Sequence, residues 1–271
     1  MKAEHNDSAD RLAVRSQVGL SSKAKRDRFD ADGYLSLPRF IDSPSCTELR
    51  TQLQRLLNRV VPTLPSDQVF YEDKSNPDSL KQIQHLENHD DWFHQLFTAS
   101  PFRALAETLL EDDVAPKNLQ YFNKPPQTGM ATPPHQDGYY FMLDPCEAVT
   151  MWLALDPVDE ENGCVRYVRG SHLKGMRPHS RTTTLGFSQG IEYYPSPEDA
   201  AREIAAPANP GDLLVHHAMT IHRADANRST TRQRRALGFI YYAASAKEDV
   251  ASHQAYQRKL AAEMKQADKL S

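Results

Sequence analysis

The sequence has few cysteines, no long apolar run and no surplus of positive charge, and each absence excludes a class of protein. Its three cysteines, Cys46, Cys146 and Cys164, form no CxxC pair, so neither a disulfide framework nor a structural zinc site is predicted. No stretch approaches the roughly 18 apolar residues that cross a membrane. The first residues also lack the apolar core of a secretory signal. We therefore expect a cytoplasmic protein without a membrane partner.

Composition and charge narrow the class of protein further. Of the 271 residues, 39% are hydrophobic and 25% are charged, as in a globular protein with a sizeable core. The formal net charge of −4 gives no electrostatic footprint for nucleic acid, which usually needs a basic face. We expect no nucleic-acid partner.

Helical patterns flank the middle of the chain. A leucine stripe over 43–60 and an apolar run near 91–110 each predict a helix, and the polar residues 247–268 predict a terminal one. Residues 1–27 lack clear periodicity and are predicted to be a flexible segment. This leaves a single domain over 28–271.

From about residue 119, short strand patterns alternate with Gly, Pro and Asn, as is typical of a sandwich or barrel. The predicted strands span 118–123, 134–143, 148–155, 164–168, 212–217 and 235–242. Residues 169–190 are predicted to form a long loop. The expected fold is an all-β core, a double-stranded β-helix or jelly roll, flanked by N-terminal and C-terminal helices.

The first candidate site is the triplet His135-Gln136-Asp137. On a strand, His135 and Asp137 would point to the same face, because side chains alternate with period two. An imidazole and a carboxylate side by side are two of the three ligands of the facial triad that binds Fe(II) and leaves positions open. Alone the triplet is weak evidence, since a surface strand with a His–Asp pair has the same pattern.

Two later segments offer partners for this triplet. His216, His217 and His222 can each close a triad, and spacing alone does not choose among them. Arg234 begins a predicted strand whose small residues on the same face leave room for a ligand. A guanidinium binds a carboxylate through two parallel hydrogen bonds, although a solvated arginine cluster is the alternative interpretation.

These motifs and their order resemble the phytanoyl-CoA dioxygenase family of Fe(II)/2-oxoglutarate oxygenases. In chain order the matching motifs are Asn123-Lys124-Pro125-Pro126, His135-Gln136-Asp137, Trp152, Asn162-Gly163-Cys164, Gly170-Ser171-His172, Gly211-Asp212, His222 with Asn227-Arg228-Ser229, and Arg234-Arg235-Ala236-Leu237. The resemblance spans most of the chain, from Gly33 to Tyr242.

The resemblance implies an iron site and its cosubstrates. It selects His222 as the third Fe(II) ligand beside His135 and Asp137, with 2-oxoglutarate and O2 as cosubstrates. It implies no catalytic residue beyond these metal ligands.

The resemblance also implies residues that bind 2-oxoglutarate. Arg234 takes the position of the arginine that binds the far carboxylate, with Arg235 as the alternative. Trp152 takes the position of an aromatic residue that lines this cosubstrate. Gln136 and Gln120 match positions that often contact it.

The implied reaction is hydroxylation of an unactivated C–H bond of a small molecule, with release of succinate and CO2, by a monomer or homodimer. Desaturation, epimerisation or ring formation on the same iron centre stays open, because the position of the substrate decides the outcome. A zinc or manganese isomerase of the cupin type and a non-catalytic jelly-roll binding protein are alternatives from other classes. The complete triad together with Arg234 argues against both.

Overall fold

The computed structural model describes residues 20–64, 68–182 and 189–251, together with residues 254, 255 and 258. The helices α1–α6 of this part span Ser22–Asp32, Ser43–Arg59, Asp91–Thr98, Pro101–Leu110, Gly138–Phe141 and Pro197–Arg202. The strands β1–β15 span Tyr34–Leu37, Val69–Tyr71, Leu80–Ile83, Val114–Phe122, Thr132–His135, Leu143–Asp144, Ala148–Ala154, Val165–Val168, His179–Arg181, Gln189–Ile191, Glu203–Ala206, Leu213–His217, His222–Ala224, Ala236–Ala243 and Lys247–Glu248. None of these helices is long and apolar enough to cross a membrane.

Two antiparallel sheets form the core of the described chain. The larger has the strand order β1-β12-β7-β14-β4-β3-β2, and the smaller has the order β11-β8-β13-β5. Neighbouring strands are mostly distant in sequence, as in a jelly roll. Trp152 and Leu214 of the larger sheet share one apolar cluster with Val165 and Tyr167 of the smaller sheet, so the two sheets face each other. The predicted double-stranded β-helix is confirmed.

Helices α2, α3 and α4 contribute to a large apolar core on one face of the larger sheet. Leu119, Phe239 and Met151 are neighbours across β4, β14 and β7, and all three belong to this core. The ring of Phe102 on α4 stacks on Phe239, with 4.1 Å between centroids and 11° between planes. The helical layer therefore holds the larger sheet as a rigid platform.

The opposite face of the larger sheet turns toward the smaller sheet and carries polar residues. Gln120, Gly238 and Trp152 are neighbours across β4, β14 and β7. Two residues away on the same face, Thr150 of β7 lies opposite His216 of β12. Because side chains alternate along a strand, the apolar core under the helices is separated from an interior between the sheets that holds both polar residues and the smaller apolar cluster.

Three predicted elements differ inside the domain, and one is the strand predicted over 134–143, because β5 ends at His135 and Gly138–Phe141 form α5. The helix predicted near 91–110 is two helices, because Pro101 has no N–H to continue α3 and disfavours helical backbone at Ser100. Ser100 instead caps α4 by accepting a hydrogen bond from the Phe102 N–H. The loop predicted over 169–190 contains β9 and β10, which pair with each other.

The ends of the chain differ from prediction as well. Helix α1 begins at Ser22, inside the segment 1–27 that was predicted to be flexible, and residues 1–19 lie outside the described part. The helix predicted over 247–268 starts later, because Lys247–Glu248 form β15 against Leu143–Asp144. Most of the remainder of that predicted helix lies outside the described residues.

Phe102→Ala should lower the free energy of unfolding by about 3–5 kcal/mol, because it removes a buried ring and leaves a cavity under the larger sheet. Urea denaturation of the variant and the wild type measures the difference. Glu107→Ala is the matched control on the same helix, since Glu107 forms only a half-exposed ion pair with Arg103. The control should lose less than about 1 kcal/mol, and an equal loss in both variants would contradict the stacking argument.

Candidate metal centre

His135 and His222 meet because their strands pair. Strand β5 lies antiparallel to β13, and His135 is directly opposite His222 in the register. Residues directly opposite in an antiparallel pair point to the same face with their Cβ atoms close together. The two buried imidazole rings accordingly lie 4.1 Å apart between centroids.

Backbone carbonyls orient both rings. Nδ1 of His135 lies 2.8 Å from the Pro133 carbonyl, and Nδ1 of His222 lies 3.0 Å from the Thr220 carbonyl. A carbonyl oxygen only accepts, so each Nδ1 carries the proton and each Nε2 carries the lone pair. Nε2 of His135 and of His222 lie 3.4 Å and 3.6 Å from Oδ1 of Asp137. Both lone pairs therefore point toward one place beside this carboxylate.

Asp137 reaches this place through a turn, and the prediction that it lies on a strand with His135 is wrong. Strand β5 ends at His135, and Asp137 has helical backbone angles, φ −58° and ψ −35°. Its carbonyl accepts hydrogen bonds from the N–H groups of Tyr140 and Phe141, which starts α5. The adjacent Gly138 donates its N–H to the Ala218 carbonyl and so ends the pairing of β5.

The charge states of the Asp137 carboxyl and the His222 imidazole suit the binding of a metal ion. Burial alone would raise the pKa of the Asp137 carboxyl, but His222, His135 and His216 together hold this pKa well below its ordinary value. Burial first, then the neighbouring imidazoles of His135 and His216, lowers the pKa of His222 well below its ordinary value. An ionised carboxylate beside neutral imidazole is the form that binds a metal.

His135, Asp137 and His222 form the one group of three potential ligands found among the described residues, with donor atoms all within 4.8 Å of one another. Two imidazoles and one carboxylate without a thiolate are the donor set of non-haem Fe(II) oxygenases. His217 points elsewhere, with its Nε2 3.3 Å from Glu147. His216 contacts Asp137 without joining the group.

Arg234 lies in the interior between the sheets. Its side chain is buried, its Nε donates to the Gly163 carbonyl at 3.1 Å, and its guanidinium lies 5.1 Å from the Trp152 ring. Among the described residues Arg234 has no ion pair. The neighbouring Arg235 instead forms a two-pronged pair with Asp156, at 2.7 Å and 2.9 Å. The geometry thus leaves Arg234, and not Arg235, available for an anionic ligand.

A second buried basic side chain lies beside Arg234. Lys124 is 4% exposed, and burial first, then Arg234 and Lys81, lowers its pKa well below the ordinary value. Burial likewise lowers the pKa of Arg234 to about 10. Two buried basic groups so close together disfavour each other's charged form, and an anion bound beside them would stabilise the charge of both. The motif match included Lys124, but without contacts in space nothing indicated this role.

Gln120 lies in the same part of the interior. It is the neighbour of Gly238, which in turn neighbours Trp152, so its side chain shares a face with that ring. Its Oε1 accepts a hydrogen bond from Gln82 Nε2 at 2.8 Å. The predicted position near a cosubstrate is consistent with this placement.

Gln136 has a different environment from the one predicted. Its Nε2 donates to the carbonyls of Met219, at 2.8 Å, and Gly175, at 3.0 Å. Its Oε1 accepts from the Arg177 N–H at 2.8 Å. Both donor positions of the amide are therefore used to join two loops. The geometry makes Gln136 a structural residue and does not support a contact with the cosubstrate.

Aromatic side chains stand next to His135. The ring of Tyr140 is roughly perpendicular to that of His135, with 6.0 Å between centroids and 74° between planes, and the Tyr140 hydroxyl donates to the Gln189 carbonyl. Tyr139 stacks on His179 with 4.3 Å between centroids. Tyr139, Tyr140 and His179 are half-buried, so they form a wall that borders the metal centre and reaches the surface.

Comparison with known proteins identifies the family. The sequence model of the phytanoyl-CoA dioxygenase family matches residues 29–236. The chain belongs to this family. Its relatives include 1-deoxypentalenic acid 11-beta-hydroxylase of Streptomyces arenae, 28% identical over 222 residues, with 78% of this chain and 77% of the relative covered. The peroxisomal phytanoyl-CoA dioxygenase of Bos taurus is 22% identical over 222 residues, with 77% of this chain and 65% of the relative covered.

A solved structure agrees with the fold. The epimerase SnoN from nogalamycin biosynthesis, in complex with Fe3+, alpha ketoglutarate and nogalamycin RO, aligns with a TM-score of 0.66 and 25% identity. The alignment covers 84% of this chain and 85% of SnoN. Family, fold and donor set make the chain an Fe(II)/2-oxoglutarate-dependent oxygenase, and the prediction of this class is confirmed.

Arg234→Met should lower the free energy of unfolding of the apoprotein by less than about 1 kcal/mol, or raise it, because a buried charge without an acidic partner destabilises the fold. Arg235→Met should lower it by about 1–3 kcal/mol, because Asp156 then loses its partner. Urea denaturation without ligands compares the two variants. An equal loss in both would show that Arg234 already has a stabilising partner.

Proposed function

We propose that this oxygenase hydroxylates an unactivated C–H bond of a small organic molecule, and that His135, Asp137 and His222 bind its Fe(II). The observation that carries the proposal is the convergence of their three donor atoms within 4.8 Å in the interior between the sheets. When bound, Fe(II) with 2-oxoglutarate and O2 supplies the oxidation, in which 2-oxoglutarate becomes succinate and CO2 and the substrate gains a hydroxyl group.

The role of the protein would be to hold three ligand side chains on one side of the metal ion. The carbonyls of Pro133 and Thr220 keep the two imidazoles in the tautomer that offers Nε2. Asp137 adds the one negative charge of the donor set. Three ligands on one side leave the remaining positions for the cosubstrates.

The cationic interior near Trp152 is proposed to bind the far carboxylate of 2-oxoglutarate. Arg234 offers a guanidinium without an ion pair among the described residues, and a carboxylate is the group that this fork matches. Lys124 is a second buried basic group nearby, and its Nζ already donates to the Met130 carbonyl. The Trp152 ring packs against the Arg234 guanidinium and keeps it from turning away. Gln120 is a buried, uncharged polar residue in the same part of the interior.

The wall formed by Tyr139, Tyr140 and His179 is proposed to border the substrate. The Tyr140 ring supplies apolar carbon surface next to His135, and Tyr139 stacks on His179 behind it, which suits a hydrocarbon part of a small molecule. The Tyr140 hydroxyl and the Gln189 carbonyl bond to each other, so the polar edge of the wall is already satisfied. An apolar contact of this kind would hold a C–H bond of the substrate in a fixed position.

Epimerisation is the second candidate reaction, because SnoN is an epimerase and aligns over 84% of this chain. The two reactions differ in their products. Hydroxylation yields a product heavier by one oxygen atom, whereas epimerisation leaves the mass of the substrate unchanged. Mass spectrometry of the products from a screen of small molecules separates them, and it also detects desaturation or ring formation as a loss of two hydrogen atoms.

Asp137→Ala should abolish Fe(II) binding and turnover of 2-oxoglutarate while the protein stays folded, because it removes a ligand and no part of the apolar core. Anaerobic titration with Fe(II) and 2-oxoglutarate, followed through the weak visible charge-transfer band, measures the loss. His217→Ala is the matched control, since His217 lies outside the donor group. Consumption of 2-oxoglutarate by Asp137→Ala at the wild-type rate would refute the ligand assignment. Iron binding by the wild type without a band would instead favour a cupin-type metalloenzyme, and no iron binding at all a non-catalytic binding protein.

Arg234→Met should raise the 2-oxoglutarate concentration needed for half-saturation by tens of fold or more, given the about 2–5 kcal/mol typical of breaking a buried charge pair. Arg235→Met should leave it unchanged, because that guanidinium is paired with Asp156. The same anaerobic titration at fixed Fe(II) gives both values. An effect confined to Arg235→Met would move the role to Arg235.

The cytoplasmic location, the lack of a nucleic-acid partner and the monomeric or homodimeric state stay predictions from the sequence.

A further inference from the structure

The two oxygens of the Asp137 carboxylate have different surroundings. Oδ1 faces the Nε2 atoms of His135 and His222, the place proposed for the metal. Oδ2 accepts a hydrogen bond from the Thr150 hydroxyl at 2.5 Å and lies 3.1 Å from Nε2 of His216. One oxygen is thus turned to the ligand cluster, and the other is held by residues of the larger sheet.

His216 itself is held in one orientation. It is 3% exposed, and its Nδ1 lies 3.2 Å from the hydroxyl of Tyr167, which is fully buried. An ionised carboxylate accepts only, so the His216 Nε2 that faces Asp137 carries a proton. Nδ1 then accepts from the Tyr167 hydroxyl. Tyr167 in turn stacks on Tyr34, with 4.9 Å between ring centroids.

This orientation separates His216 from the metal ligands. The group of donor atoms within 4.8 Å contains His135, Asp137 and His222, and His216 is not a member of it. The ring of His216 lies 4.1 Å from that of His222, so it is close to the centre. Its Nε2, however, directs an N–H to Oδ2 and offers no lone pair to a metal.

We propose that His216 is a positioning residue that keeps Asp137 a one-oxygen ligand. With Oδ2 held by His216 and Thr150, the carboxylate binds through Oδ1 alone. Without His216, one of the two hydrogen bonds to Oδ2 is lost, and the carboxylate can turn to bind the metal through both oxygens. A second bound oxygen would occupy a position that 2-oxoglutarate or O2 needs. The inference rests on the proposed function, because it requires His135, Asp137 and His222 to be the ligands.

The test uses Co(II) as a probe that binds the site without turnover. His216→Asn removes the group at the Nε2 position, whereas His216→Gln restores an amide N–H close to it. His216→Asn should weaken Co(II) binding by about 10–100-fold, the range typical for loss of a residue that hydrogen-bonds a metal ligand. It should also change the visible d–d absorption, which reports the coordination number and geometry of the ion. His216→Gln should recover most of the affinity and the wild-type spectrum.

The control is His217→Asn, the same substitution at the next residue of β12, whose side chain points to the other face. Wild-type affinity and spectrum in His216→Asn, or an equal loss in His217→Asn, would overturn the proposal. Thermal unfolding of each apoprotein checks the fold. If His216→Asn does not fold, Tyr167→Phe decides, because it removes only the hydroxyl that orients His216. Unchanged Co(II) affinity and spectrum in Tyr167→Phe would then overturn the proposal.

The outcomes also separate this inference from the proposed function. If the wild type does not bind Co(II), or if Asp137→Ala binds it equally well, the ligand assignment fails. If the wild type binds Co(II), Asp137→Ala does not, and His216→Asn matches the wild type, only the role of His216 fails.

Discussion

A largely buried carboxylate among three imidazoles is the interaction on which the site depends. Oδ1 of Asp137 faces His135 and His222, and Oδ2 contacts His216 and Thr150. An ionised carboxylate is stable in an interior only when donors or positive charge surround its oxygens. The arrangement that satisfies this requirement also places two imidazole lone pairs and a carboxylate oxygen around one point. The same geometry therefore stabilises the ionised Asp137 carboxylate and places the donor atoms where a metal ion can bind.

Each of the two sheets supplies different residues of this arrangement. The smaller sheet supplies His135 and His222 as a cross-strand pair. The larger sheet supplies Thr150 and His216 from neighbouring strands. Its other face is packed on the helical layer, where Phe102 belongs to an extensive apolar core. Close-packed cores deform little. The larger sheet therefore holds Thr150 and His216, which contact Oδ2, in fixed positions.

Several features could be predicted from local pattern alone. The strands predicted at 148–155 and 212–217 differ by no more than a residue at either end from those observed, because a short apolar run with turn residues beside it is a chain-local signal. Alternation also implies that Arg234 and Arg235 point to opposite faces. It does not say which face is inside, which is shown by the burial of Arg234 and by the ion pair between Arg235 and Asp156.

The sequence by itself determined the residue types of the site, the jelly-roll class and the oxygenase family, since these follow from motifs in order along the chain. Tertiary structure decided which atoms meet. It placed Asp137 on a turn after the strand, used the amide of Gln136 to join two loops, and brought His216 to the second carboxylate oxygen. Each of these contacts depends on pairing between segments far apart in sequence. Local pattern sets which face a side chain occupies, whereas the register of distant strands sets what that side chain touches.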